Sequence, residues 1–105
     1  MKLWIDDVRP APQNKDYITA KSVNEAIEDI LDIEDLENKC GMDILELIDV
    51  DHDAGDYAQY GGDYIKLLDW LEETGRNYPI HIHSMNSVGI QNMRRIIQKN
   101  GWKEV

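Results

Sequence analysis

Apolar residues recur along this chain with two periods. Short runs at Leu3–Ile5, Leu47–Val50 and Ile80–Ile82 read as buried strands, and stretches spaced by three and four residues read as helices. The pattern predicts a first strand over Met1–Ile5, a loop over Val8–Asp16 where Pro10 and Pro12 break regular structure, and a short strand over Tyr17–Ala20. Ser22-Val23-Asn24-Glu25 fits a capping box, so a helix begins near Val23 with Val23, Ala26, Ile27, Ile30 and Leu31 on one face. Gly41 is its terminator. A third strand over Ile44–Val50 leads to a polar loop over Ala54–Gly62. A second helix from about Asp63 turns Tyr64, Leu67, Leu68 and Leu71 inward, with Gly75 just past its end. Pro79 introduces a fourth strand, Ile80–His83. A third helix over Val88–Asn100 buries Ile90, Met93 and Ile97, Gly101 ends it, and Trp102–Val105 reads as a fifth, edge strand.

Strands alternating with helices imply right-handed crossovers. The expected fold is therefore an α/β sandwich, with a central, mostly parallel sheet of about four to five strands and helices on both faces. A chain of 105 residues suits one domain spanning 1–105. No apolar stretch is long enough to span a bilayer, and the N-terminal residues lack the basic and apolar regions of a signal peptide. Cys40 is the single cysteine, so no internal disulfide forms and a cytoplasmic location is the expected one.

Charge narrows the ligand classes. The net charge of −10 argues against wrapping long nucleic acid, which needs a basic surface. It leaves room for one small phosphorylated ligand or a nucleic-acid end, because a bound divalent cation inverts the local field. Much of the excess lies in Glu28–Glu37, which reads as a solvated helix face or, more sharply, as a docking surface for a basic partner.

The strand ends carry the chemistry. Ligands of open parallel sheets bind outside the carboxyl ends of the strands. Here those ends are Asp6-Asp7, Asp51-His52-Asp53 and His83-Ser84-Met85-Asn86. Adjacent carboxylates at the end of a buried strand repel each other and are costly to desolvate, and a hard divalent cation such as Mg²⁺ or Mn²⁺ relieves both problems. Asp51 sits where it can face Asp6 and Asp7, and Gly55 permits a tight turn beside it. His52 is a candidate acid or base because imidazole titrates near working pH, and His83 can contact a leaving group. Ser84 can hold a phosphoryl oxygen. Asn86 or Ser87 would cap the third helix, whose N-terminus suits a phosphate. Zinc fits poorly, because the chain lacks a cysteine pair and offers few nitrogen ligands. His81 reads as a satisfied strand residue.

Asp-Asp after the first strand, Asp after the third and Ser after the fourth resembles the receiver domain of response regulators, at Asp6, Asp7, Asp51 and Ser84. A closer resemblance is to the cyclic-phosphate-processing receiver domains. It is carried by Leu3-Trp4-Ile5-Asp6-Asp7-Val8-Arg9-Pro10, Val50-Asp51-His52-Asp53-Ala54-Gly55, His83-Ser84-Met85-Asn86 and Gly89-Ile90-Gln91-Asn92-Met93. That resemblance implies a receiver-like (flavodoxin-like) fold and metal-dependent handling of a cyclic phosphate on a nucleotide or RNA end. The chain departs from ordinary receivers in having no helix between its first two strands and no clear Lys-Pro after a fifth.

The resulting expectation is a phosphoesterase with Asp6, Asp7 and Asp51 on Mg²⁺ (or Mn²⁺). His52 and His83 act as acid and base, and Asp53 orients His52 or activates water. Ser84, Asn86 and Arg9 bind phosphate, and Arg94 is a further candidate clamp. The alternatives are a phospho-accepting receiver with Asp51 as acceptor, and a non-catalytic nucleotide- or metal-binding module.

Overall fold

The computed structural model describes residues 1–13 and 16–105. Its strands are β1 (Lys2–Ile5), β2 (Tyr17–Ala20), β3 (Leu47–Val50) and β4 (Ile80–Ile82), and its helices are α1 (Val23–Cys40), α2 (Ile65–Glu73) and α3 (Ser87–Asn100). The strands form one parallel sheet in the order β2-β1-β3-β4. This is the parallel α/β architecture that the strand–helix alternation predicts, in the receiver-like form that the resemblance implies. Residues 14 and 15 of the expected Val8–Asp16 loop lie outside the described residues.

Local signals in the sequence set most element ends. The Ser22 hydroxyl accepts the Glu25 N–H at 3.0 Å, and the Glu25 carboxylate reaches back to the Lys21 N–H at 3.3 Å, one residue before the expected partner. Gly41, at φ 69°, closes α1 by donating to the Glu37 carbonyl. β3 starts at Leu47, later than expected, and the Ile44 and Leu45 N–H groups before it bind the Glu37 carboxylate. α2 starts after Asp63, whose carboxylate accepts the Ala54 N–H across the intervening loop. Part of that loop, Gly55–Gln59, is a 3-10 turn. The expected fifth strand contracts to a parallel bridge between Ile80 and Glu104, flanked by Ile80–Lys103 and Val105–Ile80 hydrogen bonds.

The layering differs from expectation in one respect. From β2 the crossovers step through β3 and β4 in one direction, so right-handed connections carry α1, α2 and α3 to the same face. Their buried residues (among them Ala26, Ile30, Leu67, Leu71, Met93 and Ile97) share one core with Leu3, Ile5, Ile48, Val50 and Ile80. The pleat alternates, so Trp4, Thr19, Asp49 and His81, which are register partners, point to the opposite face. There the loop after β1 stands in for a helix, and its Arg9 carbonyl accepts the Trp4 indole N–H at 2.9 Å.

The acidic run on α1 is partly structural. Glu34 accepts from the Arg76 guanidinium at 2.7–3.1 Å and from the Tyr78 hydroxyl. The Arg76 bond, helped by Tyr78, holds the Glu34 carboxyl below its usual range against the opposing effect of burial. A depressed folded pKa stabilises above the unfolded value, about 4.3 for Glu, and that stability disappears as pH falls through the folded value. Glu34→Gln should therefore cost roughly 1.5–3 kcal/mol at neutral pH and flatten the acid limb of the stability curve. Urea titrations between pH 3 and 7 check this, and parallel acid limbs in the two proteins would contradict it.

Candidate metal and phosphate site

Asp6 follows β1 and is fully enclosed at its side chain. Its Oδ1 accepts the Val8 and Arg9 N–H groups, each at 3.0 Å, so it folds the turn that starts the covering loop. Its Oδ2 lies 2.9 Å from His83 Nε2. Burial works against the Asp6 charge, but the Arg9, Val8 and His83 hydrogen bonds together outweigh it and lower the pKa.

The other nitrogen of His83 meets a residue that the sequence reading passed over. Nδ1 lies 2.7 Å from Asp49 Oδ1, and Asp49 Oδ2 accepts the Tyr17 hydroxyl at 2.9 Å. Trp4 stacks flat on the imidazole, with ring centroids 3.8 Å apart and planes within 4°. Tyr17, Asp49, His83 and Asp6 thus form a continuous polar chain on the helix-free side of the sheet. Burial opposes a charge on His83, yet the two carboxylate hydrogen bonds prevail and raise its pKa. Burial and Asp49 push the Tyr17 phenol up to about 12. The signal for Asp49 was a carboxylate inside an apolar strand run, where a buried charge requires a partner.

Asp49→Asn removes one of the two charges that clamp the imidazole. The His83 titration midpoint should move down toward the ordinary histidine value, because the charged form loses a carboxylate partner. Nuclear magnetic resonance of the ring protons checks this, and an unmoved midpoint would show that Asp49 contributes nothing to the clamp.

Asp51 is buried at the end of β3, and its Oδ1 accepts the His52 N–H at 2.7 Å. Asp7 is half-buried. Burial first, and then the charges of Asp6 and Asp51 nearby, raise its pKa. Gly55, at φ 55°, makes room for this side chain: a Cβ there would lie 2.4 Å from Asp7 Oδ2.

His52 belongs to a second group. Its Nδ1 lies 2.8 Å from Asp53 Oδ1, and the Asn86 amide approaches the same carboxylate at 3.4 Å. The His52 hydrogen bond, with help from Asn86, lowers the Asp53 pKa despite some burial. The imidazole lies against the first turn of α3, where a Cβ on Gly89 would come within 2.4 Å of the ring. Among the described residues His52 Nε2 has no hydrogen-bond partner. Among those residues no fully buried side-chain N or O lacks one, so Nε2 keeps some contact with solvent.

Asn86 caps α3 by accepting the Gly89 N–H at 2.9 Å, and Ser84 Oγ accepts the Asn86 N–H at 3.0 Å. Arg9 reaches the His83 carbonyl at 3.2 Å, with its Nε 4.0 Å from Asp6. Arg94 is tied to Glu104 at 2.6–2.9 Å. His81 is satisfied by the Val105 carbonyl at 2.7 Å, as expected of a strand residue outside the site.

A family model for the cyclic-phosphate processing receiver domain matches residues 1–99. The chain belongs to this family. No curated protein and no solved structure matches it. Its membership links this receiver-type domain to cyclic-phosphate processing, and its buried acidic cluster has the donors to hold a metal ion. Asp6, Asp51 and His83 each present a ligand atom, and these atoms lie within 4.8 Å of one another. Among the described residues no helix is long and apolar enough to cross a membrane.

The donor chemistry suits a hard cation. Asp7 is crowded by two like charges, which a divalent ion would offset. His83 already hydrogen-bonds a carboxylate through each nitrogen, so it would have to release Asp6 to become a ligand. Carboxylate oxygens would therefore be the principal donors to such an ion, with His83 beside them.

Proposed function

We propose that this domain is a metal-dependent phosphoesterase that opens a cyclic phosphate on a nucleotide or RNA end. The observation that carries this reading is the division of labour between the two histidines. His52 has its Nδ1 on Asp53 and its Nε2 free toward solvent, the arrangement of a general base held in one tautomer. His83 has both nitrogens on carboxylates, so it acts as a fixed charge beside Asp6 rather than as a proton carrier.

Asp6, Asp7 and Asp51 would hold Mg²⁺ or Mn²⁺, which when bound supplies charge stabilisation for phosphoryl oxygens and an acidified water. His52 Nε2 takes a proton from the attacking water. As the new P–O bond forms, one ring P–O bond breaks, and the departing oxygen takes a proton from solvent to leave a phosphomonoester, while the imidazolium of His52 returns its proton to solvent. Asp53 keeps the imidazole oriented, and Asn86 steadies Asp53 while capping α3. Arg9 and Ser84 flank the place where the phosphate would lie.

The test is a turnover screen with Mg²⁺ or Mn²⁺ over 2′,3′-cyclic nucleotides, short RNAs with cyclic ends and linear phosphodiesters, with His52→Gln alongside. Cyclic-phosphate opening that depends on metal and on His52 supports the reading. Absence of turnover across the panel would sink it. A second reading, phosphoryl transfer to Asp51, draws on the position of Asp51 at the end of β3 in a receiver-type fold. A stable phosphoryl adduct on the intact protein after exposure to a small phosphodonor would favour that alternative.

A further inference from the structure

A cavity of about 410 Å³ opens on the helix-free side, between the covering loop and β2. Its size falls within the roughly 300–1,000 Å³ of small-molecule sites. It adjoins the acidic cluster, since Asp6 and Asp7 are among its lining residues. Its other lining residues mix apolar and polar groups: Val8, Arg9, Pro10 and Ala11 from the loop, Tyr17 and Thr19 from β2, and Lys21 just beyond. Tyr17 is a rigid wall, because its hydroxyl is held by Asp49 and its ring meets Trp4 edge-on at 5.7 Å. The Lys21 ammonium lies 5.7 Å from the centre of the Tyr57 ring, which steadies it at the rim.

A metal ion and a phosphate would occupy only the acidic end. The rest of the lining combines apolar side chains with a hydroxyl and a cation, which suits an organic group with a polar edge. The geometry points to this cavity as the subsite for the nucleoside part of the cyclic phosphoester, with Tyr17, Ala11 and Thr19 against the base or sugar and Lys21 at its polar edge. This inference rests on the phosphoesterase reading and adds to it the place where the nucleoside would sit. Free cyclic mononucleotides and RNA ends share that chemistry.

Binding distinguishes the cavity from the chemistry. In the presence of Mn²⁺, the wild-type protein should bind 2′,3′-cyclic AMP at least about 10-fold more tightly than ethylene phosphate, a five-membered cyclic phosphodiester with no nucleoside. Thr19→Trp fills the cavity from β2 and Ala11→Trp fills it from the loop. Each should remove that preference, and the two together guard against a folding defect in either. The amide signals of Ala11, Tyr17 and Thr19 should shift when the nucleotide is added. Equal affinity for the two probes in the wild-type protein, or a preference that survives in both folded variants, would overturn the subsite.

Turnover of both probes with equal KM would keep the phosphoesterase and discard the cavity. Selective binding of cyclic AMP without turnover would do the reverse. A trinucleotide with the same cyclic end separates the two sources. Affinity equal to that of cyclic AMP identifies an RNA end as the occupant, and affinity at least about 10-fold weaker identifies the free nucleotide. Either result upholds the cavity.

Discussion

An Asp51→Asn protein should lose metal-dependent turnover and bind Mn²⁺ about 100-fold more weakly or worse, yet melt no earlier than the wild type. Asp51 has two separable jobs. Its Oδ1 accepts the His52 N–H at 2.7 Å, and an asparagine oxygen can make the same bond. Its negative charge has no such substitute. It contributes to the repulsion that raises the Asp7 pKa, so removing it relieves strain in the metal-free protein while it removes a cation donor. Activity and stability should therefore move apart, a pattern seen where a site is held together against its own electrostatics. Manganese titration, turnover and thermal melting on one preparation check this. Full activity in a folded Asp51→Asn protein would rule out Asp51 as part of the machinery.

Asp6→Ala should be the most destabilising change in the site, by roughly 3–5 kcal/mol. The carboxylate binds the Val8 and Arg9 N–H groups through one oxygen and His83 through the other. Truncation leaves two turn donors without their acceptor and His83 with a single counter-charge, in a place that water reaches poorly. A domain of this size has only about 5–15 kcal/mol of stability in total, so the loss should be evident as an earlier urea midpoint. Asp6→Asn should fall between the two proteins, because its oxygen can still accept from the turn. A loss below about 1 kcal/mol for Asp6→Ala would mean that the covering loop is anchored elsewhere.

Much of the framework was legible because its signals are local. Ser22 and Glu25 begin α1, Gly41 ends it, and Gly75 and Gly101 close the other helices, each through bonds that a few neighbouring residues complete. The strand-end carboxylates Asp6, Asp7 and Asp51 were likewise visible as polar stops after apolar runs. What stayed hidden depends on strand order. Placing β2 and β3 on either side of β1 sends every helix to one face, and no short stretch of sequence encodes that neighbourhood. Asp49 was concealed for a related reason. Its position within an apolar run looked like part of the core, and its meaning emerges only when β3 lies beside β1 and His83 arrives from β4. The ion pair of Arg94 with Glu104 was likewise hidden, because it needs the C-terminal residues brought beside β4.

The flat stack of Trp4 on His83 gives the protein a built-in optical gauge. An excited indole passes an electron to a protonated imidazole at contact distance far more readily than to a neutral one. Trp4 emission should therefore brighten whenever the ring beneath it loses its charge. The chain has three tryptophans, so replacing Trp70 and Trp102 with phenylalanine would isolate this signal. The charge state of one side chain could then be followed in millisecond mixing experiments, without a label and without interrupting whatever chemistry takes place beside it.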